Sequence, residues 1–529
     1  MLRSPIPFAL SLVLVLAACG GTAPPAAPGA SEKAAGSAGA QAGAPKMGGT
    51  IRVGLDSELA NLDPMKSALV VDRQVMYNMY DSLVAIDKDL KIVPALADSW
   101  DQSDPATYVF HLRKGVKFHD GADFSAEAVK FSLDRNRNTD TSPRKAELSD
   151  VASVDVVDPA TVKVTLKGPS APFLATLVDR AGMIVSPDAV KKGGEDFTRN
   201  PAGGGTGAFK FVEWAKGDHI TLEKNPNYWK SDASGNKLPY TDKVTYRFFP
   251  DQNVRLTNLK TGDQDVIYRL AEKDVADAKQ NPDVVYKDAP GLAWAGLIFN
   301  TKRPPFDDKN VRLAVNYAID RPQILKTVFF NVDAEAQNPM TPAISWAYDA
   351  SVAKPFSHDV NKAKQLLSEA GKSNVSFTLD VSNNPQDIQE AQLIKDELAE
   401  AGMAVNLNVL EFTKQIDQAS KHDFQVSQFG WSGRIDPDGE VYNHVHSTGG
   451  MNYGQYSNKE LDDLLDKARR AQTQDERQQL YSQAMKILAQ DAPRAWINFQ
   501  PAWGLYTKKV QNYDFVGDAI IRLEGVWLR

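Results

Sequence analysis

The residues of this chain best suited to chemistry crowd into one stretch, Phe424 to Tyr442, FQVSQFGWSGRIDPDGEVY, followed at once by NHVH. Phe424, Val426 and the Phe429-Gly430-Trp431 step have the make-up of a buried strand, and Asp436-Pro437-Asp438-Gly439 carries the residue types of a tight turn. A glycine beside a large aromatic at a strand end lets backbone come close to a ligand, while the indole supplies a wall. Taken alone, the same stretch also reads as a core tryptophan followed by an ordinary surface turn. Arg434 offers a planar fork that meets a carboxylate or phosphate through two hydrogen bonds; otherwise it is a surface arginine paired with Asp436 or Glu440. His444 and His446 would face the same way on a strand, where they could hold a metal or chelate, and diverge on a helix; one of them could instead touch the ligand, or both are plain loop histidines. No carboxylate or cysteine stands where a third metal ligand is needed, so neither a metal nor a cofactor is expected.

Bond-breaking chemistry finds little support. The chain has no G-x-S-x-G, no H-E-x-x-H and no nucleophile–base pair singled out by spacing. The pairs Asp436/Asp438 and Asp462/Asp463 are of the type used in acid–base catalysis, but they sit in turn-like and helix-surface contexts. Cys19 is the only cysteine, which leaves the mature chain without disulfide, thiolate metal site or thiol nucleophile. Binding, not turnover, is the expectation.

A chain of 529 residues is too long for one core and implies two to four domain-sized units. The formal charge is −7, and no basic run exceeds Lys191-Lys192 or Arg469-Arg470, which argues against nucleic acid as a partner. The opening MLRSPIPFALSLVLVLAAC has one positive charge at Arg3, an apolar run from Phe8 to Leu16 and small residues before Cys19. That is a secretory signal over residues 1–18, too short to span a membrane. Leu16-Ala17-Ala18-Cys19 resembles the lipobox of bacterial lipoproteins, which implies cleavage before Cys19 and lipidation of its sulfur. With about 0.8 kcal/mol per buried methylene, two or more acyl chains hold a protein on a membrane without a spanning helix. Residues 19–47 would then be the lipidated cysteine and a tether rich in Ala, Gly, Pro and Ser, unable to bury enough apolar surface to order itself.

From Gly48 onward strands alternate with helical stretches. Thr50 to Leu55 reads as a strand, and Asp72 to Ile86 as a helix, since Val75, Met76, Met79, Tyr80 and Leu83 recur at threes and fours. Tyr108, Phe110 and Leu112 alternate as in a strand, and Ser125 caps a helix carrying Val129 and Leu133. Val311, Leu313, Ala314, Tyr317 and Ala318 are helix-spaced up to a break at Asp320-Arg321-Pro322. A further helix ends at Gly371, and another spans Ile388 to Gly402. The pattern is α/β.

The string L-A-x-S-W, then Y-x-F-x-L-R-x-G-V-K-F-H-D-G, then A-x-x-V-x-x-S, all between Pro94 and Arg135, resembles family 5 of the bacterial extracellular solute-binding proteins. Asn200 to Trp229, Val311 to Leu325, Ala363 to Gly371 and Tyr481 to Pro493 follow in the family's order, so the resemblance runs from about residue 48 to the end. It implies a receptor serving an ABC importer for dipeptides, oligopeptides or nickel complexes, exported and lipid-anchored, facing the periplasm or the cell exterior. It would act as a monomer, with a permease and its ATPase subunits as partners.

It also implies a two-lobed periplasmic-binding-protein (Venus-flytrap) fold with an extra subdomain inserted in the first lobe. Residues 48–90, 201–296 and 500–529 would build the base of lobe I, 91–200 the insertion and 297–499 lobe II. The chain would cross between lobes near 297–301 and 497–502. The ligand would sit in the cleft between them, with Ser57, Glu58, Leu59 and Ala60 facing it from one lobe and Gly430, Trp431 and Ser432 from the other. In the family's peptide receptors the strand matching Gly430 to Ser432 pairs with the ligand main chain. Asp436, His446, Asn452, Tyr453 and, at the presumed first crossing, Asn300 are further candidate contacts. Trp294 and Trp346 are candidates for the pocket wall.

One departure stands out. Peptide-binding members carry an aspartate three residues after this tryptophan, holding the α-ammonium of the peptide; here that position is Arg434. A guanidinium repels an ammonium, so an anionic or carboxylate-bearing, peptide-like ligand is favoured, ahead of an ordinary peptide bound in a shifted register; Asp436, two residues on, could replace the missing aspartate, but its Asp-Pro setting looks like the family's own turn. A metal chelate, a sugar or a sensory role on the same scaffold are the alternatives.

Overall fold

Two twisted sheets organise the chain in the computed structural model, which describes residues 44–372 and 374–529. The expected signal peptide, Cys19 and all but the last residues of the expected tether lie outside the described residues. Alternating apolar positions of Thr50–Leu55 place Ile51, Val53 and Leu55 in a core with no exposed surface. That strand pairs in parallel with Lys243–Phe248 and Val266–Ile267. Around it a seven-stranded sheet runs in the order Val284–Ala289, Ala502–Thr507, Val266–Ile267, Thr50–Leu55, Lys243–Phe248, His219–Lys224, Phe209–Ala215. A separate four-stranded sheet, built from Ala97–Asp104, Thr107–Leu112, Thr161–Leu166 and Val151–Asp158, has its own core around Phe110, Val129 and Val164. That core already begins at Leu83 and Val84, ahead of the expected residue 91.

The six-stranded sheet of the second lobe runs Ala334–Glu335, Arg494–Phe499, Trp294–Phe299, Val426–Trp431, Val375–Ser382, Met403–Leu410. Its helices start and stop where side chains can close their free ends. Asp308 accepts from Asn310 N at 2.8 Å to open Lys309–Ala318, and Asp320 accepts from Gln323 N at 3.0 Å to open Arg321–Thr327. Gly371, with φ of +65°, follows Val360–Glu369.

Two expectations need correction. The helix read over residues 72–86 is only Val70–Met76. Met79, Tyr80 and Leu83 are buried all the same, because the chain turns and feeds them into the cores of two different sheets. The first passage between the main sheets is residues 290–293, not 297–301, since Leu297 to Phe299 are already paired inside the second sheet. The return is at Gln500 and Pro501, between Arg494–Phe499 and Ala502–Thr507. These two passages lie side by side: Gln500 N–H donates to Ala293 O at 2.9 Å, and a Cβ on Gly291 would stand 2.1 Å from Gln500 O. The lobes also meet away from the passages, where Ala171 N–H donates to Arg469 O at 2.7 Å and Gln386 Nε2 donates to Glu272 Oε2 at 2.6 Å. No helix among the described residues is long and apolar enough to cross a membrane.

Candidate functional site

The strand Val426–Trp431 pairs along its whole length with Trp294–Phe299, Trp431 opposite Trp294 and Gly430 opposite Ala295. On its other edge Val375–Ser382 accompanies it only at Val426 and Ser427. The side chain of Gln415 then takes over, its Nε2 donating to Gln428 O at 2.8 Å. From Phe429 to Trp431 no strand among the described residues covers that edge, and Gly430 is exposed. An uncovered edge beside a residue without a side chain is the backbone surface on which an extended ligand pairs. Phe412 and Tyr453 gather around Phe429, with ring centroids 6.5 Å and 6.0 Å away.

Past Trp431 the chain turns sharply at Gly433, where φ is +78° and a Cβ would fall 2.3 Å from Leu292 Cβ. Asp436-Pro437-Asp438-Gly439 is not a free turn but the start of the helix Pro437–Val445. Asp436 caps it, accepting from Asp438 N at 2.9 Å, with Pro437 in the first helical position. Both Asp436 oxygens are also held by Arg477, at 2.6 and 2.8 Å, so this carboxylate is committed to the fold. Buried Glu440 on the same helix accepts from Arg434 N–H with one oxygen and from Trp294 Nε1 at 3.1 Å with the other. Burial pushes its carboxyl up to about 8, against those hydrogen bonds and the nearby Arg434 charge.

Arg434 is thereby aimed out of its own lobe. Its guanidinium stacks 4.5 Å over the Trp431 ring, with Nε 3.8 Å from Asp179 Oδ2 and Nη2 3.6 Å from Glu147 Oε1. It is not a surface arginine; 16% of its side chain is exposed. Around Asp179 stand two more buried arginines, Arg73 with Nε 3.2 Å and Arg180 with Nε 3.5 Å from Oδ1, and Arg144 is held to Glu147 at 2.5 Å. Burial opposes ionisation of Asp179, yet Arg73, Arg180, Arg434 and Arg144 together outweigh it and hold its carboxyl far below the usual range. Burial and the other three guanidinium charges pull Arg180 down to about 9 despite Asp179. Four guanidiniums thus share two carboxylates. The Nε groups of Arg73, Arg144 and Arg180, and Nε1 of Trp431, are buried without a hydrogen-bond partner; for Arg73 and Arg180 the short contacts to Asp179 have the distance of ion pairs but not the direction of hydrogen bonds.

The polar loop after the first strand joins this cluster through a relay. Ala60 N–H donates to Asp72 Oδ1 at 2.9 Å, Ser67 Oγ to Asp72 Oδ2 at 2.8 Å, and Arg180 Nη1 to Ser67 Oγ at 3.1 Å. Ser57 lies exposed at the loop's start, Glu58 accepts from Trp214 Nε1 at 3.1 Å and Gly217 N at 2.9 Å, and Leu59 is in the core. Ser432 is half-buried between Trp431 and Gly433.

The structure does not bring three of the expected residues to this place. Asn300 follows the far end of Trp294–Phe299, and its amide donates to His422 O at 3.0 Å and Phe424 O at 3.2 Å. Asn452 spends its amide on His446 O at 3.1 Å and Tyr456 O at 2.7 Å. His446 stacks on Tyr442 at 4.1 Å and accepts from Thr448 through Nδ1. The two histidines diverge, as a helix requires: His444 turns the other way, 4.8 Å from Trp431 and 5.1 Å from Trp294. Trp346 lies under Arg477, 5.1 Å from its guanidinium. Asp179, Arg73, Arg180, Arg144 and Glu147 escaped the sequence reading altogether.

Residues 91–453 match the family described as bacterial extracellular solute-binding proteins, family 5. The glutathione-binding protein GsiB of Shigella flexneri serotype 5b is 31% identical over 459 residues, covering 84% of this chain and 87% of that protein. Among solved structures, the ABC transporter-associated periplasmic binding protein DppA of Helicobacter pylori, in complex with the peptide STSA, superposes with a TM-score of 0.82 at 30% identity, over 91% of this chain and 98% of that one. The binding protein AgaA of A. tumefaciens R10, in complex with agropinic acid, gives 0.80 at 29%, over 91% and 99%. With its two lobes, its paired interlobe passages and these relatives, the chain belongs to family 5 of the bacterial extracellular solute-binding proteins, the substrate-capturing class of ABC importers, and is not an enzyme.

Proposed function

We propose that this protein captures a carboxylate-bearing, peptide-like solute between its lobes and delivers it to an ABC permease. The supporting observation is the cluster of buried Arg73, Arg144 and Arg180 with the partly buried Arg434, four guanidiniums against the two carboxylates of Asp179 and Glu147, with three Nε donors unmatched. Guanidiniums with donors to spare select a planar anion. The uncovered edge at Phe429 to Trp431 supports main-chain pairing, which makes the ligand peptide-like. Gly430, Trp431, Ser432 and Arg434 are the contacts from one lobe; Ser57, Glu58, Leu59 and Ala60 belong to the loop that meets them from the other. Tyr453 supplies an aromatic neighbour through Phe429. Lipid attachment at Cys19 would keep the protein at the membrane face beside its permease, as a monomer.

Glutathione, the ligand printed in the name of GsiB, is the natural first probe. Calorimetric titration of wild type and Arg434→Asp tests the reading. Reversing this charge should weaken binding by about 2–5 kcal/mol, since a buried charge partner is lost. Equal affinity in the two proteins would remove Arg434 from the site.

A further inference from the structure

A second polar cluster borders the same uncovered strand, with the opposite sign. Asn498, Ala295 and Gly430 are in register across three neighbouring strands, so they share one face of the sheet. Gln428, two residues before Gly430, shares it too. On this face Gln428 Nε2 donates to Glu390 Oε2 at 2.5 Å, and Asn498 Nδ2 donates to Asp333 Oδ2 at 2.5 Å. The two amides thus present their NH₂ groups to carboxylates. Their own carbonyl oxygens, Gln428 Oε1 and Asn498 Oδ1, have no donor, and neither have Glu390 Oε1 and Asp333 Oδ1. All four side chains are more than nine-tenths buried, Asn498 completely and Gln428 to 7% exposure. Gly430, on the same face, is exposed.

Four buried acceptors without a donor are the complement of a group that has only donors. An ammonium has three N–H donors and no acceptor. The charge agrees: Glu272 raises the Asp333 carboxyl further, Asp387 and Asp333 raise that of Glu390, and Arg269 opposes the effect at Asp333 alone. Burial is the larger cause, carrying Glu390 to about 8. Without a cation these carboxyls are neutral and one oxygen of each carries its own O–H; a bound ammonium displaces those protons to solvent and takes the oxygens as acceptors.

We propose that Asp333, Glu390, Gln428 and Asn498 form an ammonium subsite, so that the solute is a zwitterion lying across Gly430 with its amine here and its carboxylate toward Arg434. This rests on the carboxylate reading above and adds polarity to it. The amine sits on the sheet face of Gly430, not at the position three residues past Trp431 that Arg434 occupies.

The test uses the whole protein, with glutathione, N-acetylglutathione and the glutathione diester as probes. Free glutathione should bind at least about tenfold more tightly than its N-acetyl form, the scale of one hydrogen-bonded charge. Glu390→Gln and Asp333→Asn should each remove most of that difference while changing affinity for the N-acetyl form less than about twofold. Equal affinity for the amine and the amide overturns the subsite, as does an equal loss of both in the variants. The diester separates the two readings: if it binds like the free acid while acetylation still weakens binding, the carboxylate reading falls and the ammonium subsite stands.

Discussion

Arg434 Nε lies 3.8 Å from Asp179 Oδ2, so a side chain of one lobe shares a buried carboxylate with Arg73 and Arg180 of the other. Lobe closure and the electrostatics of the site are therefore one arrangement. An anion that bridges Arg434 to the arginines of the other lobe would add a further tie between the lobes.

Removing Asp179 should expose this coupling. Asp179→Asn leaves buried Arg73 and Arg180, and the partly buried Arg434, with one counter-charge fewer, at a cost of about 3–5 kcal/mol. Chemical denaturation should show that loss, and a carboxylate-bearing probe should restore stability proportionately more in the variant than in wild type.

Asp436 should behave differently. Its oxygens cap the helix Pro437–Val445 and hold Arg477, so Asp436→Ala should lower stability by about 3 kcal/mol, combining a lost cap and an orphaned buried arginine. Affinity measured on the folded protein should be retained; a large affinity loss at unchanged stability would place Asp436 on the ligand instead.

Backbone geometry at Gly433 carries its own prediction. Its φ of +78° and the 2.3 Å approach of a Cβ to Leu292 make Gly433→Ala strained twice over, by about 2 kcal/mol or more. Because Arg434 follows directly, both melting temperature and affinity for glutathione should fall.

Several buried glutamates give the protein an alkaline weakness. Burial carries Glu397 up to about 8, against the hydrogen bond from Asp320 N and the Arg321 charge. An unfolded glutamate titrates near 4.3, so between these values the folded chain holds the extra proton. The stability from this group is full below about pH 4.3 and is lost as pH rises toward 8. Glu440 moves the same way. Unfolding midpoints should decline from pH 5 to pH 9, and Glu397→Gln should flatten that slope.

Local pattern was enough to read the helices of the second lobe, because Asp308, Asp320 and Gly371 punctuate them with short-range chemistry. The same chemistry misled at Asp436-Pro437, since the residue types of a tight turn are also those of a capped helix start. Arg434 was legible as a departure at a recognisable position. Its partners were not: Asp179 lies 255 residues earlier in an ordinary apolar run, and only the closed pairing of lobes shows what Val178-Asp179-Arg180 does. Asn300 and Asn452 looked available because polar residues near a presumed cleft always do; their amides instead satisfy loop carbonyls.

The most direct test of the account is native mass spectrometry of the freshly purified protein, with the carried solute released by denaturation and identified. The account predicts one small molecule per chain, bearing at least one free carboxylate and released intact. A solute without any anionic group, or one recovered chemically altered, would contradict it.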